Sequence, residues 1–116
     1  MHLILTCKYR KKLLRLFGVE VKTFLENLQK DFTIQEMEVD QDHLHLMTQY
    51  PPTLNVTSIV RKIKQETTIS LWKNHKTFLR KQFWAENTFW TDGFWASSIG
   101  DASIETVRKY IQSQGN

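Results

Sequence analysis

The spacing of apolar residues changes along the chain, and these changes mark out the first half of the fold. Residues 2–9 form a short apolar run that predicts a strand. Residues 18–32 follow a glycine punctuator and predict a helix, because four apolar side chains recur at helical spacing: Val21, Phe24, Leu25 and Leu28. Apolar and polar side chains alternate along residues 33–39, which predicts a strand. After an Asp-rich turn, residues 43–50 predict a second strand that runs back beside the first. The segment 33–50 is therefore predicted to be a β-hairpin.

Two prolines end this hairpin, and a helix is expected to follow them. Asn55 or Thr57 can cap a helix over roughly residues 56–72, in which isoleucines share one face. Residues 73–91 mix basic and aromatic side chains, and we expect them to be irregular with room for one short helix.

The last part of the chain predicts one strand and one helix. Residues 92–100, bounded by glycines, predict the strand, and residues 103–114 predict a helix with an apolar stripe. The order is then β-α-β-β-α-β-α. Its first six elements have the order of the ferredoxin-like βαββαβ fold, an α+β fold with a four-stranded antiparallel sheet and two helices on one face. The chain's 116 residues are enough for one core, so a single domain spanning 1–116 is expected, with the final helix as an addition.

Composition excludes several classes of protein. No apolar run approaches the roughly 20 residues that cross a bilayer. The start of the chain places apolar residues before basic ones, the reverse of a secretory signal. A cytoplasmic location without membrane association is therefore expected. The single cysteine, Cys7, allows no internal disulfide and no Cys-rich zinc site.

The formal charge of +4 is a mild bias towards anionic partners, and the positions of the cations are more informative. Basic residues concentrate in 8–15, 61–64 and 73–81, and they alternate with aromatic side chains. Cations for phosphate and rings for unstacked bases suit a nucleic acid. The alternative is a set of solvated basic faces around an aromatic core, and core packing is the more common role for any single ring.

A histidine pair in the second hairpin strand is the first candidate site. His43 and His45 point to the same side of the strand, and Leu44 and Leu46 point to the other. The leucines belong against the helices, so the histidines are expected on the open face, where two imidazoles can converge on one metal ion. A pair of ordinary surface histidines is the alternative.

The last predicted helix carries a second candidate group. Tyr110 and Gln114 are four residues apart and lie on one helical face, at the edge of the apolar stripe. A tyrosine there can simply pack, but a phenol and a carboxamide on one ridge also offer a nucleophile and an oxygen ligand. His2 and His75 have no comparable partner in the sequence, and no role is predicted for them.

These motifs together resemble those of a known family. "HLHLM" followed by "YPP", then "FWTDGFWASSIG" and "VRKYIQSQ", is similar to the IS200/IS605-type single-tyrosine (Y1) transposases of the histidine-hydrophobe-histidine (HUH) endonuclease superfamily. The likeness covers essentially the whole chain. The histidine pair alone is a weak motif, and the combination in this order is a specific one.

The resemblance implies a site and a reaction. His43 and His45 correspond to the metal-binding pair, Gln114 to the third protein ligand and Tyr110 to the catalytic tyrosine. Such enzymes cut and rejoin single-stranded DNA next to imperfect hairpins at the element's ends, through a 5′-phosphotyrosine link. They work as homodimers whose sheets pair edge to edge, and the tyrosine helix can complete the partner's active site in trans.

Chemical reasoning adds further expectations about the metal, the base and the DNA contacts. The metal expected in use is Mg²⁺ or Mn²⁺. Asp42 is one candidate for the base that deprotonates the tyrosine, although an acidic turn residue is its more common role. The basic residues predicted to contact DNA are Lys8, Arg10, Lys11, Lys12, Arg61 and Lys64.

Two other functions remain open at the level of sequence. The first is a module that binds hairpins or single-stranded DNA and has lost cleavage, and the second is a His-dependent metal hydrolase that activates water. Binding alone has no use for the full set of two histidines, a tyrosine and a glutamine. A hydrolase does not need the tyrosine and would usually add a third His or carboxylate ligand.

Overall fold

A computed structural model describes residues 1–84, 86–97, 109 and 112. In chain order its elements are β1 (His2–Thr6), a 3₁₀ turn (Lys8–Arg10), α1 (Leu14–Asn27), β2 (Thr33–Val39), β3 (His43–Gln49), α2 (Val56–Phe83) and β4 (Trp95–Ser97). The strands form one antiparallel sheet in the order β2-β3-β1-β4. The predicted α+β fold and its four-stranded sheet are confirmed. The helix predicted over 103–114 lies outside the described residues, except for Lys109 and Gln112, which are helical.

The core lies between one face of the sheet and the two helices. Alternation along β1 and β3 places apolar side chains on this face, and all four are fully buried: Leu3, Leu5, Leu44 and Leu46. The helices contribute apolar side chains to the same cluster, including Val21, Leu25, Ile59 and Ile63. Since the leucines of β3 occupy the covered face, its histidines must project from the other face, as the sequence predicted.

The first helix begins at Leu14 and ends at Asn27, whereas residues 18–32 were predicted. The predicted start was wrong because Gly18 was interpreted as a break before the helix. Gly18 instead lies inside α1 at its closest approach to β2, where an added Cβ would stand 2.7 Å from Val39 Cγ1. The glycine is needed for packing and not for a turn.

The second helix begins as predicted but is much longer. The Asn55 side chain caps it by accepting a hydrogen bond from Ser58 N at 2.9 Å. The expectation that residues 73–91 are irregular was wrong for the first part of that segment, because α2 continues to Phe83. His75 has non-helical backbone angles inside α2 (φ −135°, ψ 36°). Beyond this kink, Leu79 and Phe83 are again buried.

The segment between α2 and β4 is fastened to the sheet and to α2. Cys7 and Trp90 form an antiparallel bridge, and Trp90 Nε1 donates a hydrogen bond to Thr67 Oγ1 at 2.8 Å. β4 pairs with β1, with Trp95 opposite Ile4. The strand predicted over 92–100 is thus observed at Trp95–Ser97, and residues 98–100 lie outside the described part. None of the helices among the described residues is long and apolar enough to cross a membrane.

Candidate functional site

The two histidines of β3 lie side by side on the open face of the sheet. His43 is opposite Thr6 of β1, and His45 is opposite Ile4. The centroids of the two imidazole rings are 4.8 Å apart. A ligating nitrogen lies about 2.1 Å from a metal ion, so both rings can reach one ion placed between their edges. The structure thus places the two rings next to each other on the open face, and their binding of a metal ion stays a prediction.

The ring of His43 is oriented by a carboxylate. His43 Nδ1 lies 3.0 Å from Asp42 Oδ1, and Arg10 Nε lies 3.5 Å from the other oxygen of the same carboxylate. Ionised Asp42 can only accept, so the proton of a neutral His43 belongs on Nδ1. Nε2 then keeps its lone pair, and it lies 3.9 Å from Asp40 Oδ2. His43 is only 8% exposed, which holds this geometry in place. Asp42 is therefore more than a solvated turn residue, because it selects the tautomer of His43 that can bind a metal.

The ring of His45 is oriented by a residue that the sequence did not single out. His45 Nδ1 lies 3.1 Å from His2 Nε2 on the neighbouring strand β1. Burial, followed by the charges of His43 and His2, lowers the pKa of His45 to about 4. His45 is therefore neutral at neutral pH, which is the state that ligates metals.

His2 escaped prediction because its partner belongs to another strand. The pairing of β1 with β3 places His2 opposite Met47 and Ile4 opposite His45, so His2 and His45 are diagonal neighbours on one face. Within a single strand His2 has no nearby imidazole. The only signal in the sequence was the alternation along β1, which places His2 on the open face of the sheet, as the alternation along β3 does for the histidine pair.

The described residues supply only part of a metal site. Among them, no group of three His, Cys, Asp or Glu side chains is arranged to hold a metal ion. The predicted third ligand, Gln114, and the predicted nucleophile, Tyr110, lie outside the described residues. Both assignments therefore stay predictions, and the structure places only the histidine pair and its two orienting partners.

One group of predicted DNA-binding residues lies beside the histidines. The loop after β1 carries Lys8, Arg10, Lys11 and Lys12, and it packs against the hairpin turn that precedes His43. Two backbone contacts make this junction: Cys7 N donates to the Asp42 carbonyl at 2.8 Å, and Leu14 N donates to the Gln41 carbonyl at 3.1 Å. The loop therefore brings positive charge to the end of the sheet at which His43 begins β3.

The other two predicted DNA-binding residues lie on the helix side of the sheet. Arg61 and Lys64 line a groove of about 630 Å³ between α2 and the segment before β4. Lys64 Nζ donates to the carbonyls of Thr91 at 2.8 Å and Gly93 at 2.6 Å, and burial lowers its pKa. The structure does not bring these two cations to the histidines, and the Lys64 ammonium is already engaged with the backbone.

Most of the aromatic side chains in the basic and aromatic region belong to the core. Trp72, Phe83, Phe89 and Trp90 are each at most 8% exposed. Trp84 and Phe78 are exceptions, with 84% and 38% of their surfaces exposed. Core packing is therefore the role of most of these rings, as the alternative interpretation expected.

Comparison with known families assigns the chain. The family profile described as "Transposase IS200 like" matches residues 1–114. The chain belongs to the IS200-like transposase family. It is therefore a DNA-processing protein of transposition, and its partner is DNA.

Individual relatives of this transposase agree with the family match. It is 24% identical to the transposase for insertion sequence element IS200 of Salmonella typhimurium, over 97% of this chain and 74% of that one. It is 27% identical to the ISDra2 transposase TnpA of Deinococcus radiodurans, over 97% of this chain and 81% of that one. Its fold matches the crystal structure of a candidate transposase from Deinococcus radiodurans with a TM-score of 0.85. That match has 21% identity and covers 97% of this chain and 88% of the other.

Proposed function

We propose that this transposase cleaves and rejoins single-stranded DNA at hairpin-bearing element ends, through a 5′-phosphotyrosine link on Tyr110. The proposal includes a divalent ion, Mg²⁺ or Mn²⁺, held by His43, His45 and Gln114. The observation that carries it is the pair of adjacent imidazoles in which each Nδ1 has a partner within 3.1 Å. Such engagement of one ring nitrogen is the usual arrangement around a metal-binding histidine.

The donor set fits a divalent ion that works on phosphate. A bound ion would polarise the scissile phosphodiester and stabilise negative charge on its oxygens. Two neutral imidazoles and one neutral amide leave the positive charge of the ion largely uncancelled. Since Mg²⁺ prefers oxygen ligands, the histidines alone would hold it weakly, and substrate phosphate would complete the site.

The proposed chemistry at Tyr110 is a transesterification, in which one phosphodiester bond in the DNA is exchanged for one between the DNA and the tyrosine. The phenolic oxygen gives up its proton and attacks phosphorus, the bond from phosphorus to the 3′ oxygen breaks, and that oxygen takes up a proton to become the free 3′-hydroxyl. The new phosphotyrosine bond keeps the 5′ end activated, so rejoining needs no nucleoside triphosphate. The sequence accordingly contains no Gly-rich phosphate-binding loop of the GxxxxGK[ST] type.

The basic loop after β1 supports the proposed DNA path. The backbone of this loop packs against the turn that precedes His43, and its lysines are Lys8, Lys11 and Lys12. Lys8 Nζ lies 3.5 Å from Glu86 Oε2 and Lys11 Nζ donates to Gln82 Oε1 at 3.3 Å, so these two cations lie towards the end of α2, where phosphate could approach them. Arg10 has a different role, because its guanidinium contacts the Asp42 carboxylate and thus supports the orientation of His43. We further propose that the protein acts as a homodimer in which Tyr110 and Gln114 serve the histidine pair of the other chain.

The decisive experiment uses a labelled DNA hairpin with a single-stranded flank. We expect a protein–DNA adduct that survives denaturation and forms only with Mg²⁺ or Mn²⁺. Tyr110→Phe should abolish the adduct and leave hairpin binding nearly unchanged, and Tyr50→Phe is the matched control that should retain it. Hairpin binding without any adduct in the wild-type protein would favour the binding module. Release of two free DNA ends by Tyr110→Phe would favour the hydrolase.

Subunit mixing tests the proposed trans arrangement. His43→Ala and Tyr110→Phe proteins should each be inactive alone. In a mixed dimer, one composite site contains an intact histidine pair and an intact tyrosine, so cleavage should recover. Failure to recover, with subunit exchange demonstrated by a tag on one variant, would place Tyr110 in the site of its own chain.

A further inference from the structure

His2 makes the most direct unexplained contact with the candidate site. It lies at the start of β1, is partly buried and shares the open face with His45. Its Nε2 is 3.1 Å from His45 Nδ1, and its ring packs against the edge of Trp95 with centroids 5.5 Å apart at 86°. The ring is thus held on both sides, by a hydrogen bond to β3 and by an aromatic contact to β4.

A hydrogen bond between two imidazole nitrogens contains one proton, and its position decides what His45 can do. If the proton is on His2 Nε2, His45 accepts through Nδ1, and a neutral His45 then carries its own proton on Nε2. Neither nitrogen of His45 would then be free for a metal. If the proton is on His45 Nδ1, His2 accepts and the lone pair of His45 Nε2 is free.

We propose that His2 accepts the hydrogen bond from His45 Nδ1 and is a positioning residue that fixes His45 in its metal-binding tautomer. In this arrangement His2 does for His45 what Asp42 does for His43, where the carboxylate leaves only one possible direction for the hydrogen bond. In both rings of the pair, the Nε2 lone pair would then be available to a metal ion. The inference deepens the proposed function, because it rests on the metal site proposed there.

His2 is better suited to this part than to being a third ligand. Within the described portion of the chain, no three metal-binding side chains converge, so His2 does not close a three-histidine site. The ring centroids of His2 and His45 are 5.3 Å apart and those of His43 and His45 are 4.8 Å apart. His45 therefore contacts both other rings, and its Nδ1 is the nitrogen engaged with His2.

The first test needs neither metal nor DNA. Long-range proton–nitrogen NMR spectra of ¹⁵N-histidine-labelled protein, recorded metal-free at neutral pH, report which ring nitrogen of each histidine is protonated. We expect His45 and His43 to carry the proton on Nδ1 and His2 to have an unprotonated Nε2. In His2→Ala, His45 should lose its fixed tautomer while His43 keeps its own. A proton on His2 Nε2 in the wild-type protein would overturn the inference.

The second test measures Mn²⁺ binding by electron paramagnetic resonance, and thermal denaturation of each variant checks the fold. His2→Ala should weaken Mn²⁺ binding about 10–100-fold, the usual effect of losing such a partner. His2→Gln should restore most of the affinity, because its amide oxygen can accept from His45 Nδ1. His75→Ala is the control that removes a histidine bonded to Glu20 away from the site, and it should leave Mn²⁺ affinity unchanged.

The outcomes separate this inference from the proposed function. Equal Mn²⁺ affinity of His2→Ala and wild type would overturn the positioning role and leave the metal site intact. Affinity lost equally in His2→Gln and His2→Ala would instead make His2 a ligand. A wild-type protein that binds no Mn²⁺, with or without hairpin DNA, would contradict the proposed metal site. The NMR spectrum would still decide the direction of the hydrogen bond in that case.

Discussion

Replacing Lys64 by methionine tests whether this predicted DNA contact is a structural residue. Lys64 Nζ donates to the carbonyls of Thr91 and Gly93 at 2.8 and 2.6 Å, and it thereby ties the segment before β4 to α2. Methionine keeps an unbranched apolar stem of similar length and removes only the ammonium. The change therefore isolates the two hydrogen bonds from the packing of the side chain.

The expected loss follows from the number and kind of these hydrogen bonds. A hydrogen bond involving a charged group contributes about 1.5–3 kcal/mol. Lys64 is partly exposed, and water can replace some of the contact, so we expect a total loss of about 2 kcal/mol, below the sum of two such bonds. For a domain of this size, about 4 °C of Tm per kcal/mol gives a decrease of about 8 °C.

The assay compares thermal denaturation with hairpin binding in Lys64→Met and in the neighbouring variant Arg61→Met. Arg61 is exposed in the same groove, so its replacement should change stability by less than about 0.5 kcal/mol. If Arg61 contacts phosphate, its loss should also make the slope of log binding constant against log salt concentration shallower by about 0.7 for a single strand. An unchanged Tm in Lys64→Met, together with weakened DNA binding, would refute the structural assignment.

Three further changes test other contacts. Gly18→Ala should lower the free energy of unfolding in a denaturant titration, because crowding against Val39 costs about 1–3 kcal/mol and exceeds the gain in helix propensity of about 1 kcal/mol. In a Val39→Ala background the same change should stabilise, and a loss of equal size there would contradict the packing explanation. Asp42→Ala should weaken Mn²⁺ binding about 10–100-fold, whereas Asp42→Asn, whose amide oxygen can still accept from His43, should retain most of it. Equal affinities for Asp42→Ala and wild type would exclude the orienting role. Burial, with a smaller contribution from Asp42, raises the pKa of the Cys7 thiol from 9.0 to about 12. The folded protein therefore keeps this thiol protonated at a pH where the unfolded chain loses the proton, so the contribution of Cys7 to the free energy of unfolding is fully present below pH 9 and is lost as pH rises towards 12. Cys7→Ala should make the alkaline loss of stability shallower, and identical pH curves would contradict this account.

The hairpin and its histidines were predictable because the signals are local. Strand alternation has a period of two, so the sequence HLHL places two leucines on one face and two histidines on the other wherever the strand is placed. Two strands joined by a short Asp-rich turn also determine their own pairing. The predicted hairpin over 33–50 corresponds to β2 and β3, and the Asn55 cap of α2 has the predicted geometry.

The sequence could not fix the limits of the helices, because tertiary contacts override local signals there. Gly18 is a break by composition, yet its contact with Val39 makes it part of a helix. The kink at His75 interrupts the helical backbone of α2, yet Leu79 and Phe83 continue its buried face beyond the kink. The helix propensity of any residue other than proline differs from that of alanine by at most about 1 kcal/mol, which the burial of a large apolar side chain readily exceeds.

By itself, the sequence determined the family, the order of the first six elements and the face on which His43 and His45 lie, since motifs and short-range periods indicate all three. Tertiary structure decided which groups orient these histidines, and which cation bonds to the protein's own backbone. His2 lies on another strand, Asp42 acquires its role through the geometry of the turn, and Lys64 meets carbonyls on a distant segment. Hydrogen bonds need partners within about 3 Å, and only the folded chain brings residues so far apart in sequence to that distance.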